Sequence, residues 1–169
     1  MRNHRFRLLL PLALLVAVAT AAPALAARSI AMRGCNATAA ARVVEATNQY
    51  RESLGLSQLK VVPKLSAFAV AHARDMAVNA TLTHSSSSGE SFAERAHGSG
   101  YRFTSMRENV ALEGAPLPAS LGPDIWTLWR RSPAHDANMR ALDVTEIGVA
   151  VAPGRYGCYA SMELGNPLR

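Results

Sequence analysis

The chain has little of what marks several functional classes. Aromatics make up 6% of its 169 residues, and no dense block of Lys or Arg stands out. A basic stripe interleaved with aromatics is the footprint of nucleic-acid binding, so no nucleic-acid partner is expected. There is no H-E-x-x-H, the helix-borne signature of a zinc protease. The nearest approach to a nucleophile elbow is Gly89-Glu90-Ser91-Phe92-Ala93. It lacks the final glycine and does not follow a strand pattern, so a serine nucleophile has no motif context and no residue is assigned a catalytic role.

Long apolar runs are also scarce. The one clear run, Leu8 to Ala19, lies behind Arg2, Arg5 and Arg7 and is followed by Ala24-Leu25-Ala26. A basic head, an apolar stretch and a small-x-small site define a secretory signal, expected over residues 1–26 and cleaved after Ala26. The run is short for a membrane span, and Pro11 and Pro23 suit a helix in lipid poorly. The mature chain is therefore expected to be secreted or periplasmic, without a stable membrane span. Removing the three signal arginines halves the formal charge of +6. The remaining basic bias favours an anionic envelope surface only weakly.

Cysteine is limited to Cys35 and Cys158. Two cysteines in an exported chain read as one structural disulfide. It would tie an N-terminal arm, residues 27–40, to the last strand, with a chain-entropy contribution on the order of 4–5 kcal/mol as an upper figure. Residues 41–166 suffice for a single domain with its own core.

Helical spacing predicts a helix from Thr38 to Leu54, with Ala41, Val44, Thr47, Asn48 and Arg51 on one stripe and Gly55 just past its end. Asn48 and Arg51 read as helix-to-loop hydrogen-bonding groups. Leu59 to Pro63 is an extended connector, and Lys64 to Ala80 a second helix in which His72 reads as a packed, hydrogen-bonded histidine. A Ser/Thr-rich loop carrying His84 follows, then a short helix from Glu90 to His97, with His97 a cap. Ser105 to Glu113 alternates as a strand: Met106, Glu108, Val110 and Leu112 share one face. Glu108 thus lies among apolar residues, where a carboxylate is costly unless paired. Asn109 is expected to secure the backbone of a turn, and Gly114 to Gly122 to form an irregular loop. Asp143 to Ala152 and Arg155 to Leu164 form a hairpin around Pro153-Gly154.

Trp126 and Trp129, the only tryptophans, share a helix face and are expected to anchor the core. Ser132-Pro133 then reads as an N-cap with proline at the first helical position. That places His135 in a first helical turn, where the helix dipole favours neutral imidazole, the form that accepts a proton or binds a metal.

Taken in order, N-Q-Y-R-E-S-L-G-L from Asn48, T-H-S-S-S-S-G around His84, R-E-N-V-A-L-E-G around Glu108 and S-P-A-H-D-A-N-M around His135 resemble the CAP superfamily, or SCP domain, in its short bacterial branch. The resemblance runs nearly the whole mature chain, to Leu164. It implies an α+β fold, a three-layer α-β-α sandwich with a small antiparallel sheet, which the element inventory also suits. It further implies two histidines and two acids at the floor of an open cleft. His84, Glu108 and His135 match three of these; the fourth falls at Ser132, which is not acidic. Two imidazoles and one carboxylate make a divalent-metal set, suited to zinc, with water in the fourth place and weaker affinity for want of the second acid. The other reading of the same residues is a hydrogen-bonded polar cluster that fixes the loops around the cleft. The resemblance implies a binding module for a small-molecule, lipid or envelope ligand, expected as a monomer. The alternative is a metal-dependent or serine-type hydrolase acting on an envelope or extracellular substrate, with Ser132 beside His135 or Ser85 to Ser88 beside His84.

Overall fold

In the computed structural model, residues 32, 34–114 and 118–168 are described. The signal segment, most of the arm before Gly34 and part of the loop expected after Gly114 lie outside them. The elements run α1 (Ala37–Ser53), β1 (Lys60–Val61), α2 (Pro63–Asn79), α3 (Phe92–Gly98), β2 (Phe103–Glu113), α4 (Leu121–Arg131), α5 (Pro133–Met139), β3 (Glu146–Gly154) and β4 (Gly157–Pro167).

Four of the five described helix starts have a local cause. Asn36 caps α1 by accepting from the Thr38 and Ala39 amides, and Pro63 and Pro133 occupy first-turn positions where a missing N–H costs nothing. Ser91 and Glu94 form a reciprocal capping box on α3. Gly55 takes the left-handed conformation, φ +74°, that ends α1.

The sheet has four strands in the order β1-β3-β4-β2 and is mixed. The strand β1, expected only as an extended connector, pairs parallel to β3, while β3–β4 and β4–β2 are antiparallel. The hairpin turn falls one step later than Pro153-Gly154, at Arg155-Tyr156, because Gly154 still pairs with Gly157. Alternation sorts the two faces. Val149, Val151 and Ala111 join the cluster with α1 and α4, whereas Ala150, Ala152 and Val110 join the cluster with α2. Five helices around this sheet make the α+β sandwich.

Trp129 is buried and donates its indole N–H to the Val110 carbonyl, the anchoring expected of it; Trp126 is only partly buried and meets Tyr50 edge-on. The buried face of α1 is Ala39, Ala40, Val43, Thr47 and Arg51, so the expected stripe is rotated: Ala41 is exposed. Arg51 binds the carbonyls of Ser57, Met139 and Ala141, and Asn48 bonds the Leu59 backbone in both directions.

Helix α2 approaches β3 most closely at Gly148. A Cβ there would lie 2.2 Å from the Leu65 backbone carbon. Gly148→Ala is therefore expected to cost at least about 1–3 kcal/mol by overpacking backbone against backbone. Urea unfolding measures it, and a loss below about 0.5 kcal/mol would show that α2 is free to shift.

Candidate functional site

Strand β2 is an edge strand, and Glu108 lies on its α2-side face with an exposure of 5%. Its carboxylate is held from two sides. His84 Nδ1 lies 2.8 Å from Oε1, and Arg95 Nη2 lies 2.7 Å from Oε2. Burial by itself would raise the Glu108 carboxyl, but the His84 and Arg95 hydrogen bonds and the Arg95 charge outweigh it and hold the group below the usual carboxylate range. An ionised carboxylate only accepts, so His84 donates from Nδ1 and its Nε2 is the remaining ring nitrogen.

Arg95 organises this corner. Its guanidinium also donates to the His84 carbonyl, 2.7 Å away, and sits over Phe68 and Phe92, two stacked rings. One side chain thus fixes both the loop of His84 and the carboxylate that orients it. Sequence reading gave Arg95 no role. The signal available was the apolar face around Glu108, because a buried carboxylate requires a buried cation.

His72 is buried, as expected, and donates Nε2–H to the Thr83 carbonyl at 2.8 Å. Its Nε2 also lies 3.7 Å from Glu108 Oε2. Burial pushes this imidazole down, so it stays neutral and braces the loop one residue before His84. His97 lies against Phe103 at the end of α3 and takes no part in the site.

His135 arrives from the opposite layer. Ser132 and Pro133 open α5 as expected, although the Ser132 hydroxyl makes no capping bond. Asn109 donates to the His135 carbonyl, while Asn138 donates to the Glu108 carbonyl and to Asn109 Oδ1. Asn109 therefore docks α5 on β2 rather than securing a turn. The His84 and His135 ring centres are 6.4 Å apart. Burial, then the neighbouring His84, lowers the His135 pKa. Among the described residues, no hydrogen bond joins Ser132 to either histidine.

Behind Glu108 lies a second acid that sequence reading missed. Glu163 pairs with Glu108 across the β2–β4 ladder, is fully buried and accepts from Ser161 Oγ at 2.8 Å. Burial, followed by the Glu108 charge, pushes its carboxyl well above the usual range. A raised folded pKa gives stability that is complete below the unfolded value and is lost as pH rises through the folded one. Glu163→Gln, which keeps the shape without the charge, is expected to match the wild type near pH 4 and to exceed it increasingly above about pH 5. Thermal unfolding at pH 4 and pH 7.5 measures this; an equal difference at both would contradict it.

The expected metal set can be tested against these contacts. Both Glu108 oxygens are committed to His84 and Arg95, and among the described residues no group of three His, Cys, Asp or Glu side chains is arranged to hold an ion. Glu108 is thus an orienting partner of His84 rather than a third ligand. Two imidazoles sharing one ion at ~2.0–2.1 Å have ring centres roughly 5–6 Å apart, somewhat closer than the 6.4 Å seen here. The donors that these contacts leave for an ion are the two histidines, with Glu108 behind one of them.

A mixed four-strand sheet between helical layers, with two histidine rings 6.4 Å apart beside a buried Glu–Arg pair at one sheet edge, defines an α+β sandwich. The chain belongs to the CAP family, matching the cysteine-rich secretory protein family over residues 44–164. Its fold is similar to an outer surface protein of Borrelia burgdorferi at TM-score 0.64 and 21% identity, covering 74% of this chain and 90% of that one. It is similar to an extracellular SCP-domain protein of Bacillus anthracis at TM-score 0.64 and 21% identity, covering 80% and 42%. A cysteine-rich secretory protein of Staphylococcus aureus matches at TM-score 0.59 and 17% identity, covering 77% and 39%. The chain thus spans less than half the length of the latter two. No curated protein matches it.

Proposed function

We propose that the protein is an extracytoplasmic CAP binding module whose His84–His135 pair takes a divalent ion such as zinc weakly, with open positions for a ligand. The observation that carries this is the Glu108–His84 contact of 2.8 Å: it assigns the proton to Nδ1 and leaves Nε2 as a lone-pair donor. His84 is 53% exposed at its side chain, so the pair can meet a ligand from solution. His135, held toward the neutral state, suits the same task. A bound ion would supply a Lewis-acid position to which a ligand's oxygen or nitrogen could bind.

An extracytoplasmic location is supported by the signal pattern in residues 1–26 and by the outer-surface and extracellular neighbours. No helix among the described residues is long and apolar enough to cross a membrane. Small-molecule, lipid and envelope ligands all fit a solvent-facing two-histidine site. The hydrolase reading has less support, because among the described residues Ser132 is not hydrogen-bonded to His135. Calorimetric zinc titration tests the proposal: binding is expected in the wild type, and to weaken about 10–100-fold in Glu108→Gln, where the orienting charge is lost.

A further inference from the structure

The two edges of the sheet are treated differently. At the β2 edge the outward carbonyls of Glu108 and Val110 are capped by Asn138 and Trp129. At the β3 edge, β1 covers only Glu146 and Ile147. The Thr145 and Ile147 carbonyls face β1, accepting from Lys60 and Val62. Because β3 continues in regular register to Gly154, alternation turns the N–H and C=O of Val149 and Val151 to that same outer side. Among the described residues nothing bonds them. The two residues are each 8% exposed, and backbone groups shielded from water are nearly always paired.

These edge groups line a groove of about 890 Å³ between α1 and α2. Its walls are small and apolar, with Ala41 and Val44 on one side and Val70 and Ala77 on the other. Helix α2 runs along β3, from Leu65 opposite Gly148 to Ala77 opposite Gly154, so Arg74 stands near the hairpin end. Arg74 is the one charged lining residue and has no acidic partner among the described residues.

We propose that this groove binds an extended apolar peptide as a further strand on β3, parallel to it and in line with β1, with the peptide's C-terminal carboxylate at Arg74. Strand addition pairs the Val149 and Val151 groups, and alternate side chains fall against the two helical walls. The parallel direction brings a chain end, and hence a carboxylate, to the unpaired guanidinium. An acyl chain would fill the walls but leave the edge amides unpaired. The site lies at the opposite sheet edge from His84 and His135 and does not depend on them.

The test uses a pool of N-acetylated pentapeptides of Ala, Val, Ile and Ser with free C-termini, the same pool amidated, and palmitate. Binding is followed by calorimetry and by hydrogen exchange at the Val149 and Val151 amides. The free-acid pool is expected to bind and to slow exchange at both amides. Amidation or Arg74→Gln should weaken binding at least about tenfold, and Ala41→Trp, which fills the groove from an exposed position, should abolish it. Thermal unfolding confirms that both variants fold, neither side chain being part of the core. Absence of peptide binding at millimolar concentration, binding without protection of the two amides, or uptake of palmitate alone would each overturn the proposal.

Discussion

Arg95→Met is expected to lower folding stability by about 3–5 kcal/mol, the cost of leaving a buried carboxylate without its cation. Arg95 and Glu108 are 7% and 1% exposed at their side chains, and 2.7 Å separates their nearest atoms, so water cannot replace the guanidinium. The loss should be reversible by removing the charge it strands. Arg95→Met with Glu108→Gln should recover much of the stability, since a Gln oxygen still accepts from His84 Nδ1. In Arg95→Met alone, the Glu108 carboxyl rises, and the deficit should shrink as pH falls through its new value. Urea unfolding of the four members of this cycle is the measurement. A loss under about 1 kcal/mol in Arg95→Met would mean that the guanidinium is not what holds the corner together.

The Cys35–Cys158 bond spans 123 residues, with Cα atoms 5.4 Å apart. It ties the segment before α1 to the start of β4, opposite Pro153. Closing so long a loop restricts the unfolded chain, on the order of 4–5 kcal/mol as an upper figure. Cys35→Ser with Cys158→Ser should approach that loss while leaving the His84–His135 pair in place, because neither cysteine touches it. Urea midpoints with and without reductant should coincide for the double variant and differ for the wild type. A difference below about 1 kcal/mol in the wild type would show that the arm is held by packing alone.

Much of this architecture was legible in local patterns. The period of Met106, Glu108, Val110 and Leu112 placed Glu108 on an inward face, and Ser132-Pro133 located the start of α5. The arrival of His84 and His135 at one place rested on the ordered CAP resemblance, because no local pattern joins a loop to a helix start. What escaped was long-range. The two-residue strand β1 carries too few residues to alternate, and its parallel pairing depends on β3, far along the chain. Arg95 carried no local signal, because its partners lie on β2 and the His84 loop. Glu163 sat inside an apolar strand pattern and meets Glu108 only through the β2–β4 register. The stripe on α1 was misplaced because α4 sets which side is buried, with Gly122 packed against Ala39 and Arg42.

The central claim is that His84 and His135 act as one site. Calorimetric zinc titration of the wild type, His84→Ala, His135→Ala and His97→Ala tests it directly. One zinc is expected to bind the wild type and His97→Ala alike, and neither of the other two variants, since each removes half of a pair whose ring centres are 6.4 Å apart. Zinc binding that survives in either His84→Ala or His135→Ala with unchanged affinity would contradict the claim.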